Sequence, residues 1–310
     1  MDYKEKPPIL VTGSHRSGTT WVGRIIAKSK DIGYINEPLS LWQKPGILYP
    51  RPNVWYKYIS EYNSYEYLNS FNRMLDFRYN LNKDIKSIIS FKDILRLIKN
   101  QLYFYYNHLL NKRPLIKEPH AIFASEWMYK KFNTNVVVMI RHPAAFAGSL
   151  KRVNWKHPFD HFLRQKELIQ DHLPKFEKEI ERYVKEKKNI IEQAILLWNI
   201  IYSTVYKYTM KNYDWMFIRH EDISREPEKY FKKIFNYIDV RYTNKIDKQI
   251  KKYSGLICTN RYETLNINDI KINSKSNIYN WKDRLTEEEI KQVKYGTFDT
   301  WKYFYKNEEW

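Results

Sequence analysis

The sequence predicts an α/β fold: a parallel β-sheet flanked by helices, of P-loop-like type, with helical insertions. Three observations carry this. Short apolar runs alternate with stretches of helical periodicity, the pattern of strands covered on both faces. A turn bounded by Gly13 and Gly18 joins the first apolar run to the first helix. The polar motifs fall at the carboxyl ends of the apolar runs, where open α/β sheets bind ligands.

The elements follow in order. ILVTG (9–13) is a buried strand, and a helix follows Gly18. Pro38, Pro45, Pro50 and Pro52 mark a loop rather than a domain boundary. Residues 56–112, rich in Tyr and Phe, form a first helical insertion. LIK (115–117) and NVVVMI (135–140) are strands, with helices after His120 and after Ala144. Residues 174–213 form a second insertion, with Ile190, Ile191, Ala194, Ile195, Trp198, Ile201 and Val205 at helical spacing. WMFIRH (215–220) is the last strand, and a helix follows Glu226. There is no internal repeat and no low-complexity linker, so a single domain over 1–310 is expected.

Composition narrows the class. A chain of 310 residues with 43% hydrophobic content can bury a large core, which argues against disorder. The opening MDYKEKPP lacks the apolar stretch of a secretory signal, and the run Ala194 to Val205 is too short and too polar to span a bilayer. The single cysteine, Cys258, suits a reducing compartment, and no Cys/His spacing suggests zinc. A soluble cytoplasmic protein is expected. The net charge of +19 points to an anionic partner such as a membrane surface, an acidic glycan or a phosphorylated cofactor, or else to compositional drift. Scattered lysines without a basic tail speak against nucleic acid.

VTGSHRSGTTWVGRIIA (11–27) has the glycine spacing of a phosphate-binding loop. Backbone N–H groups and the helix dipole make such a loop an anion site. An ATP-binding loop carries lysine after the second glycine and relies on an acidic strand end for Mg²⁺. Here Thr19 follows Gly18, and NVVVMI leads into Arg141. An arginine in place of a metal-holding aspartate implies direct binding of an anion, with no metal required. Arg16, Ser17, Thr19 and Thr20 favour this over a turn that needs its glycines only for packing.

HRSGTTW (15–21) resembles the 5′-phosphosulfate loop of sulfotransferases that use 3′-phosphoadenosine 5′-phosphosulfate (PAPS). Three further stretches resemble the same family in the same order: VVVMIRHPAAFAGSLKR with Arg141 and Ser149, FIRHEDISREPEKYFKKIF (217–235), and SKSNIYNWKDRLTEEEI (274–290). The resemblance implies that His15, Ser17, Gly18, Thr19 and Thr20 cradle the 5′-phosphate, and that Arg16 neutralises charge on the bridging oxygen. It implies that Trp21 stacks on adenine and that Arg141 and Ser149 hold the 3′-phosphate. His220 stands where the family has tyrosine near adenine. Ser274 and Ser276 replace two members of an Arg-Lys-Gly triplet, leaving Lys275 as a second 3′-phosphate cation.

Sulfuryl transfer to an alcohol needs a group that accepts the hydroxyl proton. GYINEPLSLW (33–42) resembles the Glu-Pro segment of carbohydrate and protein-tyrosine sulfotransferases, which makes Glu37 the base, fixed at a strand end by Pro38. His120, at the end of IKEPH, is the alternative, in the place used by phenol- and steroid-type members, and Glu118 is a third group at that edge. The expected function is transfer from PAPS to a hydroxyl of a glycan or glycolipid, the aromatic insertion favouring sugar. Peptide tyrosine is the alternative acceptor, and a P-loop kinase or NTPase is the alternative class. Peripheral association with anionic surfaces fits the charge.

Overall fold

The computed structural model describes residues 6–253 and 278–310. The chain runs β1 (Ile9–Gly13), α1 (Thr19–Ile26), β2 (Ile32–Asn36), α2 (Leu68–Leu75), α3 (Leu81–Ile85), α4 (Phe91–Leu109) and β3 (Arg113–Lys117). It continues with α5 (Ser125–Phe132), β4 (Asn135–Ile140), α6 (Pro143–Val153), α7 (Asp160–Leu163), α8 (Lys166–His172) and α9 (Glu177–Lys185). Then come α10 (Ile190–Thr209), β5 (Met216–Arg219), α11 (His220–Arg225), α12 (Pro227–Tyr237), α13 (Asn244–Tyr253), α14 (Glu287–Gly296) and α15 (Phe298–Trp301).

The strand order is β2-β3-β1-β4-β5, with β1 and β2 both pairing in parallel with β3. This is the parallel five-strand sheet flanked by helices that the alternating pattern predicts. Two compact units divide the chain: Met1–His15, Thr19–Val137 and Pro158–Glu186 in the first, Arg16–Gly18, Val138–His157 and Lys187–Trp310 in the second. The cuts fall inside the loop after His15 and inside β4, where no composition shift marks them.

In the first unit, every residue of β1 and β3 is buried, as expected of strands covered on both faces. The register pairs Val11 with Lys117 and Lys117 with Asn36, so β1, β2 and β3 end side by side. α1 packs along these strands, Gly23 meeting the Lys117 side chain. β2 is the strand that composition alone does not reveal, because Gly33 interrupts its apolar run. That glycine is required: a Cβ there would collide with the Phe77 ring and approach Asn107 Oδ1 to 2.8 Å. The Tyr- and Phe-rich insertion supplies Phe71, Phe77, Tyr79 and Phe104 to this core.

In the second unit, α10 is buried on nearly all sides because α6, α14 and α15 pack against it. The predicted helical insertion 174–213 contains α9, which belongs to the first unit, and α10. Asn189 caps α10 with a capping box, accepting from Ile191 and Glu192 while the Glu192 side chain accepts from the Asn189 N–H.

Candidate active site

The first cluster, in the first unit, lies at the C-terminal ends of β2 and β3. Glu37 follows β2 directly, its N–H donating to the Lys117 carbonyl at 2.8 Å. The Lys117 ammonium, buried at the end of β3, forms an ion pair with the Glu37 carboxylate. The Lys117 side chain is 2% exposed and that of Glu37 31%, so the carboxylate keeps access to solvent.

Glu37 has φ 48°, in the left-handed region. A residue before proline is expected to be extended, so Pro38 does not set this conformation in the way the sequence suggests. The turn is held instead by the Glu37 N–H bond and by Glu118, whose Oε2 accepts from the Leu39 N–H at 2.7 Å. Glu118 is fully buried, and its Oε1 also accepts from the His120 N–H at 3.1 Å and faces His120 Nδ1 at 3.2 Å. It is a brace for two neighbouring turns.

His120 lies in the turn after β3, four residues before α5, with a side chain 6% exposed. Its ring stacks on His15 at 5.8 Å and contacts Trp55 and Tyr56 at 4.6 and 5.0 Å. His15 Nδ1 shares a 2.8 Å hydrogen bond with the Tyr56 hydroxyl. Tyr56 is itself in the left-handed region, with φ 55°, and is buried. Backbone strain of this kind persists where its surroundings over-determine it.

The second cluster, in the second unit, is cationic. Arg16, at φ 65°, donates from Nε to Ser149 Oγ at 2.9 Å. Burial, then Arg152, Arg141 and Arg284, hold the Arg16 guanidinium below the usual arginine range. Burial, then Arg152 and Arg141, act in the same direction on Arg284. Like charges thus act in one direction on Arg16 and on Arg284.

Arg141 is anchored through its backbone: its N–H donates to the Tyr202 hydroxyl at 3.0 Å and its carbonyl accepts from Trp198 Nε1 at 2.9 Å. Its side chain is 9% exposed; among the described residues Nε has no hydrogen-bond partner, and it forms an ion pair with Glu221 Oε1 at 3.7 Å. Glu221 is held in turn by the His142 N–H at 3.2 Å and the Tyr305 hydroxyl at 2.9 Å. His220, first residue of α11, presses its ring on Gly18, whose φ of 94° already favours glycine. Burial, followed by Arg141, holds this imidazole neutral, far below its ordinary range.

The structure therefore brings Arg16, Arg141 and Ser149 into one cluster, and His220 onto the loop. Ser17 is buried, Thr19 and Thr20 open α1, and Trp21 is buried like a core aromatic at 5% exposure. Lys275 lies outside the described residues. Among the described residues, no group of His, Cys, Asp or Glu is arranged to hold a metal ion. Lys117, Arg152, Arg284 and Glu221 were not singled out from sequence. Lys117 left a signal as a charge closing the apolar run LIK, and Arg152, Glu221 and Arg284 lie within the three later family-like stretches.

A cationic cluster that includes the buried Arg141 guanidinium fits a ligand carrying negative charge. A family model described as "Sulfotransferase family" matches residues 7–244, and the chain belongs to that family. It is a PAPS-dependent enzyme of that class. No curated protein matches the sequence. Among solved structures, the sulfotransferase domain from the curacin biosynthetic pathway aligns with TM-score 0.50 and 12% identity, over 94% of this chain and 96% of its own. Sulfotransferase STF9 from Mycobacterium avium aligns with TM-score 0.46 and 12% identity, over 96% and 77%. Mouse sulfotransferase SULT7A1, solved with PAP, aligns with TM-score 0.44 and 12% identity, over 97% and 85%.

Proposed function

We propose that the protein transfers the sulfuryl group of PAPS to a hydroxyl of a glycan or glycolipid, with Glu37 as the general base. The observation that carries the choice of base is accessibility. The Glu37 side chain is 31% exposed, whereas that of His120 is 6% exposed with Nδ1 turned to Glu118, and Glu118 is fully buried and engaged by three donors. Of the three, Glu37 is the group an acceptor hydroxyl can reach.

PAPS, when bound, supplies the sulfuryl group. Arg141 and Ser149, with Arg152 and Arg284 beside them, would hold its 3′-phosphate, and residues 15–20 would hold its 5′ side. Arg16 offsets negative charge on the leaving phosphate. Glu37 takes the acceptor's proton, and Lys117 fixes the orientation of the carboxylate. The Glu-Pro segment supports a sugar acceptor, as does the aromatic group formed by Trp42 and Trp55, whose rings lie 5.0 Å apart.

The test is transfer from labelled PAPS to sugar and tyrosyl-peptide acceptors. Glu37→Gln should lower transfer by roughly 10²–10⁴-fold and leave PAP affinity within a few-fold. His120→Asn should cost far less. An active Glu37→Gln beside a dead His120→Asn would transfer the base to the histidine, and turnover of the peptide alone would replace the sugar.

A further inference from the structure

Helix α4 turns the wrong face to solvent. Its inner side is accounted for: Leu97, Phe104 and Asn107 are buried, and Arg96 binds the buried Asp84 at 2.6 and 3.1 Å. On the opposite side Phe91, Leu95, Ile98, Leu102, Tyr106 and Leu109 recur at three- to four-residue spacing. That spacing places them on one stripe running the whole 19-residue helix, about 28 Å. All six are exposed, Phe91 at 71%, Leu102 at 61% and Leu109 at 62%. The outer face of a surface helix is normally polar, and a continuous apolar patch of this length marks an interaction site.

The charges beside the stripe are of one sign. Residues 81–112 contain five lysines and one arginine against two aspartates. Both aspartates are engaged, Asp84 by Arg96 and Asp93 by Lys44 and Arg96. Lys92 and Lys99, seven residues apart, are exposed along one edge of the stripe, and Lys112 lies 5.1 Å over the Tyr106 ring. A second copy of the chain would bring the same lysines to a shared rim, with no carboxylate of this stretch left to meet them.

We propose that the outer face of α4 docks on an anionic lipid bilayer, the apolar stripe entering the headgroup boundary and the lysines meeting lipid phosphates. Rows of Phe, Leu and Tyr edged by lysine have the composition of helices that lie in that interface. Among the described residues no helix is long and apolar enough to cross a membrane, so the contact is with one leaflet. The inference stands apart from the choice of acceptor.

The test is co-sedimentation of the full chain with phosphatidylcholine vesicles, with and without roughly 30 mol% phosphatidylglycerol. The wild type should pellet with the anionic vesicles, less so at about 0.5 M salt, where surface charge is screened. Ile98→Glu/Leu102→Glu should lower partitioning by about tenfold or more, and Lys92→Glu/Lys99→Glu severalfold. Both variants should keep the circular dichroism spectrum and the PAP-induced melting shift of the wild type, which separates lost docking from lost folding. No binding by the wild type, equal binding to neutral vesicles, or full binding by the glutamate variants would overturn the proposal. So would a lipid-free dimer in sedimentation velocity that Leu102→Glu disperses, which would make the face an interface between copies.

Discussion

The Nε of Arg16 donates a 2.9 Å hydrogen bond to Ser149 Oγ, linking the phosphate loop to a helix 133 residues further along the chain. In the proposed function, Arg141 and this linked pair hold the phosphates of PAPS. Arg141→Ala should therefore remove most discrimination between PAP and 5′-AMP. Loss of a charge-assisted contact costs roughly 1.5–3 kcal/mol, about ten- to a hundredfold in affinity. Calorimetric titration of both nucleotides checks this, and Arg141→Lys should recover only part, since an ammonium cannot form the guanidinium fork.

PAP should bind without Mg²⁺ and raise the melting temperature, by a stabilisation of a few kcal/mol at saturating ligand. ATP should do much less, because Thr19 stands where a lysine would reach its terminal phosphates. Thermal shift with PAP and with Mg-ATP reads the difference, and stronger stabilisation by Mg-ATP would contradict it.

The Glu37–Lys117 pair predicts an asymmetry in stability. Glu37→Ala leaves the Lys117 ammonium buried without its partner, at a cost of roughly 1–3 kcal/mol, below the figure for fully buried pairs because Glu37 is partly solvated. Glu37→Gln keeps an acceptor oxygen and should cost less. Adding Lys117→Met to Glu37→Ala should restore much of the loss. Urea denaturation of wild type, Glu37→Ala, Lys117→Met and the double variant forms the double-mutant cycle.

His142 predicts a pH dependence. Its ring is stacked on Trp281 and edged by Tyr305 and Trp310, with neither nitrogen hydrogen-bonded among the described residues. Burial, reinforced by Arg141 and other cations, pushes its pKa down to about 3. The unfolded chain takes up that proton near pH 6.5. The stability contributed by neutral His142 is therefore complete above about pH 6.5 and is lost as pH falls toward 3, by about 1.4 kcal/mol per unit. His142→Phe keeps the stacking and gives up no hydrogen bond. It should gain about 2 kcal/mol over wild type on going from pH 7 to pH 5, with His220 accounting for remaining slope in the same direction. Melting curves of both proteins at the two pH values check this.

Four strands were legible from apolar runs: ILVTG and NVVVMI match β1 and β4 residue for residue, LIK falls within β3, and WMFIRH contains β5. β2 shows no apolar run, because Gly33 makes room for Phe77 from a distant segment, and it was legible only through the Glu-Pro segment that follows it. The short helices α7 and α8 carry too few turns for a period to show. At the site, Arg16, Arg141 and Ser149 belong to contiguous motifs and were visible. Arg152, exposed on α6, and Arg284, in the turn before α14, join them only through folding, since neither position announces its neighbours in the sequence. Glu118 was visible as a carboxylate but not as a brace, because its partners are backbone N–H groups.

The gathering of Arg16, Arg141, Arg152 and Arg284 has a practical consequence at the bench. Like charges packed together resist compaction until a polyvalent counter-ion arrives. Buffer choice should therefore matter: sulfate or phosphate should preserve the purified protein in storage better than chloride of equal ionic strength. The same anions should slow turnover, so the salt that best keeps the preparation is the one to dialyse away before an assay.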